Sequence, residues 1–526
     1  MSDVSSQAAA PAGNGTRPVA LRLAGITKRF GPLVANDHID LDLYRGEILA
    51  LLGENGAGKT TLMNILFGHY VADEGAVLAT AGDNNLAKLE PGSPHAALTA
   101  GIGMVHQHFT LAENLSGIEN ITLGTEPIFR LRRGTGAARR KVEALIADSG
   151  LAVDLDIQVS RLSVGEKQRV EILKALYRDV RILVLDEPTA VLTPQESEGL
   201  FQTLRALAAR GLAVIFISHK LGEVLAVSDR IAVLRSGRKV GEIATRDADR
   251  RQIAEMMVGR EIPASRRTPR DPGAVILELD GVVVSGDGSR NSLAATTLPI
   301  REGEIIGIAG VSGNGQAALA ALIAGLATPV AGTMRLFGEV VRHHDPSRFA
   351  LAGIARIPED RHHDGIVGSM SVAENVAIEE LRSTRFQRKG FLRFGAIKTR
   401  AETAIRDYDV RCQGPEAPAR LLSGGNIQKL ILARVLDRGP RLVLANQPTR
   451  GLDIGAQTEV HRRLLEARQA GAGILLISED LDELLTLSDR VAVMAGGRLS
   501  DPQPTESLDR GTLGMMMAGH DEDAAA

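Results

Sequence analysis

The first half of the chain contains eight residues whose types and spacing suit the binding of a phosphate chain. Their letters, GENGAGKT, fit the pattern G-x-x-x-x-G-K-[ST], follow the apolar run ILALL and precede the helix-like stretch TLMNILFG. Glycines in such a turn let backbone N–H groups converge on phosphates, and the next helix adds its positive end. Lys59 can reach the terminal phosphates of a nucleoside triphosphate, and the Thr60 hydroxyl can ligate Mg²⁺. A glycine-rich turn with an incidental lysine is the alternative. We predict a nucleotide site formed by Gly53, Glu54, Asn55, Gly56, Ala57, Gly58, Lys59, Thr60 and Thr61.

Two adjacent carboxylates, Asp186 and Glu187, end a second apolar run, ILVLD. Ligands of open parallel sheets bind outside the carboxyl ends of the strands, which is where these side chains would lie. Asp186 is predicted to hold Mg²⁺, directly or through water, and Glu187 to orient or deprotonate an attacking water. A solvated turn is the alternative, but the four apolar residues before Asp186 favour the edge of the sheet.

Composition excludes several classes of protein. Of the 526 residues 44% are hydrophobic and 24% charged, which is typical of a folded soluble protein with a sizeable core. The net charge of −3 gives no reason to expect nucleic acid as a partner. A single cysteine, Cys412, excludes a disulfide framework and a cysteine zinc site. No run reaches the roughly 18 apolar residues of a membrane helix, so work on a membrane is expected to need partner subunits.

The chain repeats itself in the same order. Lys59 aligns with Gln316 at an offset of 257 residues, and LSVGE at Leu162 aligns with LSGGN at Leu422 at an offset of 260. ILVLDEPT and VIFISHKL likewise match RLVLANQPT and ILLISEDL. Such agreement indicates a tandem duplication. Continuous apolar runs such as ILALLG and AVIFIS suit strands buried on both faces, so each half is predicted to be an α/β domain with a mainly parallel sheet.

Domain limits follow from composition. We predict disordered tails at 1–18 and 517–526, which contain few large apolar groups. A first domain is predicted over 19–262 and a second over 274–516. The linker at 263–273 is rich in proline and arginine and has no apolar periodicity.

The order of motifs resembles that of a known family. LSVGEKQR stands before LDEPT, and ISHKL follows it, so the first half resembles the ABC transporter ATPases, in which the segment matching LSVGE here and LSGGN in the second half is called the signature. The doubled form is similar to the fused ATP-binding subunits of bacterial sugar and nucleoside importers. The letters MVHQHF, DEPTAVLTPQE and PEDRHHDG are most similar to the nucleoside branch. The resemblance implies two tandem P-loop NTPase domains, each with a mainly parallel sheet core, an antiparallel β subdomain and a helical signature subdomain.

The same resemblance implies roles for three more residues of the first half. Gln107 would contact Mg²⁺ and the attacking water, His219 would contact the γ-phosphate, and Phe30 would stack on adenine. Taken singly, Phe30 could instead belong to the core and His219 could cap a strand end.

The second half has lost the groups that this chemistry needs. Lysine and threonine of the phosphate loop are replaced by Gln316 and Ala317, and the two carboxylates by Asn446 and Gln447. The loss removes a charge-assisted phosphate contact, the Mg²⁺ ligand and the base. The position of His219 is occupied by Glu479 and that of Gln107 by Glu359, and both carboxylates would repel a triphosphate.

Head-to-tail packing of the two halves, as the resemblance implies, would place each phosphate loop opposite the signature of the other half. Lys59 would then face Ser423, Gly424, Gly425 and Asn426, which keep both signature glycines, whereas the first signature has Val164. A further asymmetry is Asp453 where the first half has Thr193. One hydrolytic site per chain is predicted, with a second that binds nucleotide weakly or statically.

The resulting functional prediction is an ATPase that uses ATP and Mg²⁺ to energise a nucleoside importer. Its expected partners are two membrane permease subunits, which would dock near the Q-loops, the segments around Gln107 and Glu359. A solute-binding protein is an indirect partner, and no nucleic acid is expected. The expected location is the cytoplasmic face of the inner membrane, as a peripheral protein. A ribose/galactose-type importer is the first alternative. A soluble ribosome-associated ATPase is disfavoured because the linker is short and one phosphate loop is lost, and a DNA-repair ATPase would need a long coiled coil or zinc cysteines.

Three polar segments are not assigned a function. His343–Asp345 and His362–Asp364 contain potential metal ligands but lie in predicted turns. The basic run Arg130–Lys141 could contact nucleic acid or lipid headgroups, but a solvated helix is favoured.

Overall fold

The computed structural model of the protein describes most of the chain, namely residues 17–81, 85–106, 109–125, 135–189, 192, 194–218, 220–259, 267–286, 292–311 and 313–517. The chain divides into two compact units, Met1–Ile262 and Pro263–Ala526. Three residues to which a role was assigned, Gln107, Thr193 and His219, lie outside the described residues, as do almost all of both predicted tails.

The first unit alternates strands and helices. Its strands are β1 (Val19–Phe30), β2 (Leu33–Tyr44), β3 (Ile48–Gly53), β4 (Glu74–Ala81), β5 (Asn85–Lys88), β6 (Ile102–Val105), β7 (Ile182–Asp186), β8 (Ala213–Ile217), β9 (Arg230–Arg235) and β10 (Arg238–Ala244). Its helices are α1 (Lys59–Leu66), α2 (Pro94–Thr99), α3 (Gly117–Thr122), α4 (Thr135–Ser149), α5 (Val164–Leu176), α6 (Pro194–Ala209), α7 (Leu221–Val227) and α8 (Arg250–Val258).

Two sheets organise the first unit. The larger has the order β10-β9-β3-β8-β7-β6 and is parallel from β9 to β6, with β10 antiparallel at the edge. Strands β3 and β8 are buried at every position, as expected for apolar runs covered on both faces. The smaller sheet, β2-β1-β4-β5, is antiparallel. Helices α3, α4 and α5 pack together in the segment between β6 and β7.

The second unit repeats this plan. Its strands are β11 (Val275–Val284), β12 (Leu293–Arg301), β13 (Ile305–Ala309), β14 (Ala331–Leu336), β15 (Glu339–Val340), β16 (Ile354–Ile357), β17 (Gln387–Arg388), β18 (Phe391–Leu392), β19 (Leu442–Asn446), β20 (Gly473–Ser478), β21 (Arg490–Ala495), β22 (Arg498–Leu499) and β23 (Gln503–Pro504). Its helices are α9 (Gln316–Ile323), α10 (Pro346–Leu351), α11 (Val372–Ala377), α12 (Phe394–Asp407), α13 (Gly424–Leu436), α14 (Ile454–Gln469), α15 (Leu481–Leu487) and α16 (Arg510–Met517).

Strand order confirms the predicted duplication and fold class. The large sheet of the second unit has the order β16-β19-β20-β13-β21-β22, which reproduces that of the first unit strand for strand, and β23 also pairs with β21. Its antiparallel sheet, β12-β11-β14-β15, corresponds to β2-β1-β4-β5. The chain therefore consists of two α/β units, each with a mainly parallel sheet, an antiparallel sheet and a group of helices.

The described part of the predicted linker lies against the second unit. Arg468 is fully buried, forms an ion pair with Asp489 at 2.7 Å and donates to the Thr268 carbonyl at 2.9 Å. Arg267 forms an ion pair with Glu506 and donates to the carbonyl of Ser488. Within the residues that the structure describes, no helix has the length and apolarity needed to cross a membrane.

Candidate nucleotide site

The phosphate loop of the first unit connects the end of β3 to the first turn of α1. Gly58 has a φ of 99°, and a Cβ there would stand 2.3 Å from the Ala35 carbonyl oxygen, so the position needs glycine. Gly56 also has a positive φ, 83°, but no atom lies within 4 Å of its potential Cβ. The buried side chain of Asn36 donates to the Gly58 carbonyl at 3.1 Å and holds the loop from behind.

Lys59 places its ammonium group inside this loop. Its Nζ donates to the carbonyls of Gly53 and Glu54, at 2.7 and 3.1 Å. An ammonium within the curve of the loop, beside the amino end of an eight-residue helix, is a suitable binding environment for phosphate oxygens. Of the other predicted loop residues, Ala57 is buried, Gly58 and Thr61 are half-buried, and Asn55, Gly56 and Thr60 are exposed.

Asp186 lies at the carboxyl end of β7, where the sequence places it. Burial raises the pKa of its carboxyl group, the neighbouring charge of Glu187 raises it further, and Lys59 and His106 lower it. The influence of the Lys59 charge on this pKa is in keeping with the prediction that the phosphate loop and this strand end contribute to one nucleotide site. A carboxylate that is costly to ionise beside another carboxylate is a suitable ligand for a divalent cation.

Glu187 has an unusual backbone conformation. Its φ is 48°, in the left-handed region that non-glycine residues seldom occupy. Its N–H donates to the carbonyl of Ile217 at 2.9 Å, which ties the turn to the end of β8. Gln447 repeats both features in the second unit, with a φ of 50° and an N–H bond to Ile477 of 2.8 Å. The strained turn is therefore kept even where the carboxylate is not.

A half-buried carboxylate that the sequence analysis missed joins two segments of the site. Glu223 accepts hydrogen bonds from the hydroxyls of Thr189, two residues after Glu187, and Ser218, which precedes His219, at 2.5 and 3.0 Å. It therefore connects the segment after β7 to the segment after β8. The sequence pattern that could have identified it is a serine followed five residues later by glutamate in both halves.

The second unit contains the same network. Glu483 accepts from Thr449 at 2.8 Å and from Ser478 at 2.6 Å, and the ring of His461 lies 2.9 Å from it. The Glu483 side chain is 2% exposed.

Phe30 is exposed at the end of β1. Its ring is 43% accessible and meets that of Tyr70 edge to face, with 5.7 Å between the centroids. The Nζ of Lys28 lies 5.5 Å from the Phe30 ring. The exposed ring argues against the interpretation of Phe30 as a core residue and could stack on a planar base.

In the second unit, a side-chain amide replaces the lysine in the phosphate loop. The Gln316 Nε2 donates to the carbonyl of Val311 at 3.0 Å, and its Oε1 accepts from the N–H of Asn314 at 3.1 Å. Gly315 has a φ of 109°, close to that of Gly58. The backbone conformation just before the helix is therefore kept, and the neutral Gln316 amide forms hydrogen bonds to the backbone of its own loop through both its nitrogen and its oxygen. Ala317 follows at the second position of α9 and has no hydroxyl to offer a cation.

Three further residues that differ in the second unit, Gln447, Glu359 and Asp453, make contacts within that unit. The Gln447 amide oxygen accepts from the N–H of Glu479 at 3.4 Å, and Asn446 ends β19 where the first unit has Asp186. Glu359 forms an ion pair with Arg450, so its charge is compensated within the unit. Asp453 accepts from the Ala456 N–H at 2.8 Å and caps α14.

The two signature serines make different hydrogen bonds. Ser163 donates its hydroxyl to Glu166 at 2.8 Å and begins α5 with a capping box. The Ser163 N–H and hydroxyl lower the pKa of the Glu166 carboxyl group. Ser423, which begins α13, instead accepts from the Asn426 amide at 2.8 Å, so its hydroxyl proton can be donated to another acceptor.

The neighbours of the signature glycines also differ in charge. A carboxylate is the nearest neighbour of Gly165, because the Glu196 side chain occupies the position that a Cβ would take. A guanidinium is the nearest neighbour of Gly424, because the Arg361 side chain lies 3.2 Å from the potential Cβ of that glycine. The surroundings of the second signature are thus more favourable to an anion than those of the first.

The histidine-containing turns of the second unit form local hydrogen bonds. Asp345 caps α10 by accepting from the N–H groups of Ser347 and Arg348. Asp360 accepts from the N–H groups of His362 and His363, each at 2.9 Å. Throughout the described ranges, no three His, Cys, Asp or Glu side chains are grouped so as to hold a metal ion.

The sequence model of one family, described as ABC transporter, matches residues 36–190 and 293–450. The chain is 43% identical to a glucose import ATP-binding protein of Haloferax volcanii, over 96% of each chain. It is 41% identical to a nucleoside import ATP-binding protein of Lactococcus lactis, over 95% of this chain and 98% of that one. A ribose import ATP-binding protein of Burkholderia thailandensis is also 41% identical, over 94% and 96%.

Among solved structures, the chain resembles one in the complex of an archaeal ribosomal stalk protein with an archaeal ribosome recycling factor. The TM-score is 0.62, with 20% sequence identity over 94% of this chain and 92% of that chain. At this identity the likeness shows the fold alone.

Proposed function

This chain is an ATPase of the ABC transporter family, and we propose that it energises a nucleoside importer through one hydrolytic site per chain. The observation that carries the proposal is the contrast between Lys59 and Gln316. One phosphate loop contains an ammonium group, and the other contains a neutral amide that is hydrogen-bonded to the backbone of its own loop.

The first unit has suitable groups for each part of a nucleoside triphosphate. Lys59 and the N–H groups at the start of α1 would bind the terminal phosphates, and Phe30 would stack on the base. Thr60 and Asp186 would hold Mg²⁺, with Gln107 added on the strength of the family resemblance. When bound, Mg²⁺ neutralises charge on the phosphate oxygens.

Glu187 is proposed as the residue that orients or deprotonates the attacking water, and His219 as a contact of the γ-phosphate. The hydrogen bond from the Glu187 N–H to Ile217 fixes the turn from which the carboxylate projects. The strained φ of this residue is consistent with a position whose geometry serves a reaction.

A trans signature, supplied by Ser423, Gly424, Gly425 and Asn426, is proposed to complete this site. The Ser423 hydroxyl can donate to a phosphate oxygen, whereas that of Ser163 is already bonded to the Glu166 carboxylate. A donor aimed at developing charge contributes strongly to catalysis. The second nucleotide position, with Gln316, Ala317, Asn446, Gln447 and Glu479, is proposed to be non-hydrolytic.

Nucleosides are proposed as the solute on the wording of MVHQHF, DEPTAVLTPQE and PEDRHHDG. Relatives named for glucose, nucleoside and ribose import have nearly equal identities to this chain, so identity alone does not separate the branches. Import of a sugar such as ribose is therefore the second candidate.

The assembly that follows contains two permease subunits docked near the Q-loops and a solute-binding protein that this chain does not touch. The proposed location is the cytoplasmic face of the inner membrane, as a peripheral subunit, and no nucleic acid is involved. Closure on ATP would drive the permease between access states because ATP binds the closed form more tightly than the open form.

The solute can be tested in vesicles that contain the complete transporter, made from this chain, its permease subunits and the solute-binding protein. ATP-dependent uptake of labelled nucleosides is expected, with labelled ribose as the competing solute. Uptake of ribose without uptake of nucleosides would overturn the nucleoside assignment. Uptake that continues without ATP would overturn the proposed role of the chain.

A further inference from the structure

A short hairpin in the second unit projects between α11 and α12. It consists of β17 and β18, in which Arg388 pairs with Phe391 and Gln387 with Leu392. Lys389 and Gly390 form the two-residue turn, with φ values of 50° and 84°. Two successive positive φ values match the right-handed twist of a tight hairpin, so the tip has a defined shape.

The hairpin is fixed at its base. Phe386, immediately before β17, is fully buried in a cluster with Ala373, Ala377, Ile397 and Ala401 of the flanking helices. The Arg393 N–H donates to the Phe386 carbonyl at 2.8 Å and closes the base of the loop. A rigid tip loses little conformational entropy when it binds a partner.

Aromatic side chains on this tip face water. Phe391 is 80% and Phe394 72% exposed, and Leu392 is exposed as well. Two exposed phenylalanines three residues apart, one in β18 and one at the start of α12, with the exposed Leu392 between them, give this segment a local concentration of apolar surface.

The segment that contains the hairpin, 381–400, carries charge of one sign. Between Leu381 and Arg400 the sequence contains no Asp or Glu, and its cations are Arg382, Arg385, Arg388, Lys389, Arg393, Lys398 and Arg400. The buried Arg400 forms an ion pair with Asp437 at 2.9 Å. In the described part of the chain, none of the other six cations has an ion-pair partner. An exposed surface with these properties favours an anionic partner.

We propose that this hairpin, Gln387–Phe394, binds the anionic headgroup region of a phospholipid bilayer. Phe391 and Phe394 would lie at the level of the glycerol and upper acyl groups, and Arg388, Lys389 and Arg393 would contact lipid phosphates. This inference rests on the proposed function only in that the subunit works at a membrane.

The shape of the tip favours a lipid surface over an acidic protein segment. A stable protein interface buries roughly 800 Å² per partner, which a convex hairpin with a two-residue turn does not offer. A bilayer needs no complementary pocket, because lipids rearrange around inserted rings and each nearby cation adds attraction.

The test uses the purified full chain and its cosedimentation with vesicles, without permease. One set of vesicles contains phosphatidylglycerol and phosphatidylcholine, and the other phosphatidylcholine alone. Binding to the anionic set only, weakened by salt, is expected. Replacing both Arg388 and Lys389 by Gln should weaken binding about 25-fold, at about fivefold per cation. Phe391→Ser with Phe394→Ser should weaken it at unchanged charge.

Matched controls are Arg342→Gln, an exposed cation outside the hairpin, and Leu351→Ser, an 81% exposed apolar residue of α10. Neither should change vesicle binding. Equal binding to both vesicle sets, no binding to either set, or hairpin variants that bind like the unchanged chain would each overturn the proposal.

Hairpin variants that bind vesicles normally but fail to assemble with the permease would assign the surface to a protein partner instead, and would also overturn it. ATP turnover, measured in parallel, separates this proposal from the proposed function. Loss of vesicle binding with turnover intact is expected for the hairpin variants, whereas an inactive unchanged chain would count against the ATPase role alone.

Discussion

The Thr189 hydroxyl donates a hydrogen bond to the half-buried carboxylate of Glu223, with 2.5 Å between the two oxygens. The same carboxylate accepts from Ser218, so one side chain spans the two strand ends that carry Glu187 and His219. We expect Glu223→Ala to lower kcat about a hundredfold with little change in KM for ATP, because a misplaced catalytic group costs rate without weakening phosphate binding.

Glu223→Gln should restore much of the rate, because a single amide oxygen can still accept both hydroxyl protons. The matched control is Glu483→Ala, which removes the equivalent carboxylate from the second unit. It should reduce thermal stability with a smaller effect on turnover. Equal losses of turnover in the Glu223→Ala and Glu483→Ala variants would contradict a positioning role specific to the first unit.

The phosphate loop predicts a contrast between two glycines. Gly58→Ala puts a Cβ against the Ala35 carbonyl at 2.3 Å, whereas Gly56→Ala meets no atom within 4 Å, and both positions have positive φ. Gly58→Ala should abolish detectable ATP binding and lower the thermal midpoint clearly. Gly56→Ala should lower stability by only about 1 kcal/mol, the cost of a left-handed non-glycine residue. Equilibrium dialysis with labelled ATP and thermal unfolding would distinguish them, and equal effects would refute the steric argument.

Replacement of Asp186 should change the thermal stability of the protein by an amount that depends on pH. Its pKa is raised in the folded chain, mainly by burial and then by Glu187, so ionisation is penalised at neutral pH. Asp186→Asn should therefore raise the thermal midpoint of the nucleotide-free protein at neutral pH and abolish Mg²⁺-dependent nucleotide binding.

The stabilisation should shrink as pH falls toward the pKa of an unfolded aspartate, about 3.9, because the carboxyl group is then protonated in both states. Thermal unfolding from neutral to mildly acidic pH measures the difference. A difference that grows on acidification would show that Asp186 is stabilised as an ion and would contradict the argument.

Replacing the two signature serines should have opposite effects on stability and on ATP turnover. Ser163 caps α5, so Ser163→Ala should cost about 1 kcal/mol of stability and leave turnover nearly unchanged. Ser423 makes no side-chain cap bond at α13, so Ser423→Ala should leave stability intact and lower turnover about a hundredfold through loss of a phosphate donor. Turnover and unfolding measurements on both variants suffice. A larger loss of turnover in the Ser163 variant would reverse the assignment of the signatures.

Much of the fold could be predicted from the sequence because the duplicated motifs appear twice in one order. Strand runs such as ILVLD and ILALLG identified the parallel core, and the phosphate loop located its carboxyl edge. The shared site of Lys59 and Asp186 stays a prediction, which the influence of the Lys59 charge on the pKa of Asp186 supports. These motifs could be identified because the residues of each motif are close together in the sequence.

Contacts between distant segments could not be predicted in this way. Glu223 and Thr189 are 34 residues apart, and a glutamate in an amphipathic stretch does not by itself indicate which distant hydroxyl it will accept from. Glu359 was interpreted as repelling a triphosphate, yet it pairs with Arg450, 91 residues away. Pairing of this kind depends on tertiary geometry, which brings an opposite charge to a carboxylate that has none near it in the sequence.

The central claim is that ATP is hydrolysed at one site per chain, by Glu187. The most direct measurement is the steady-state ATP turnover of Glu187→Gln in the complete transporter, beside Gln447→Ala as the matched change in the second unit. We predict no turnover above background for Glu187→Gln at unchanged ATP affinity, and nearly unchanged turnover for Gln447→Ala. Sustained turnover in the Glu187→Gln transporter would contradict the account, because hydrolysis would then have to occur at another site.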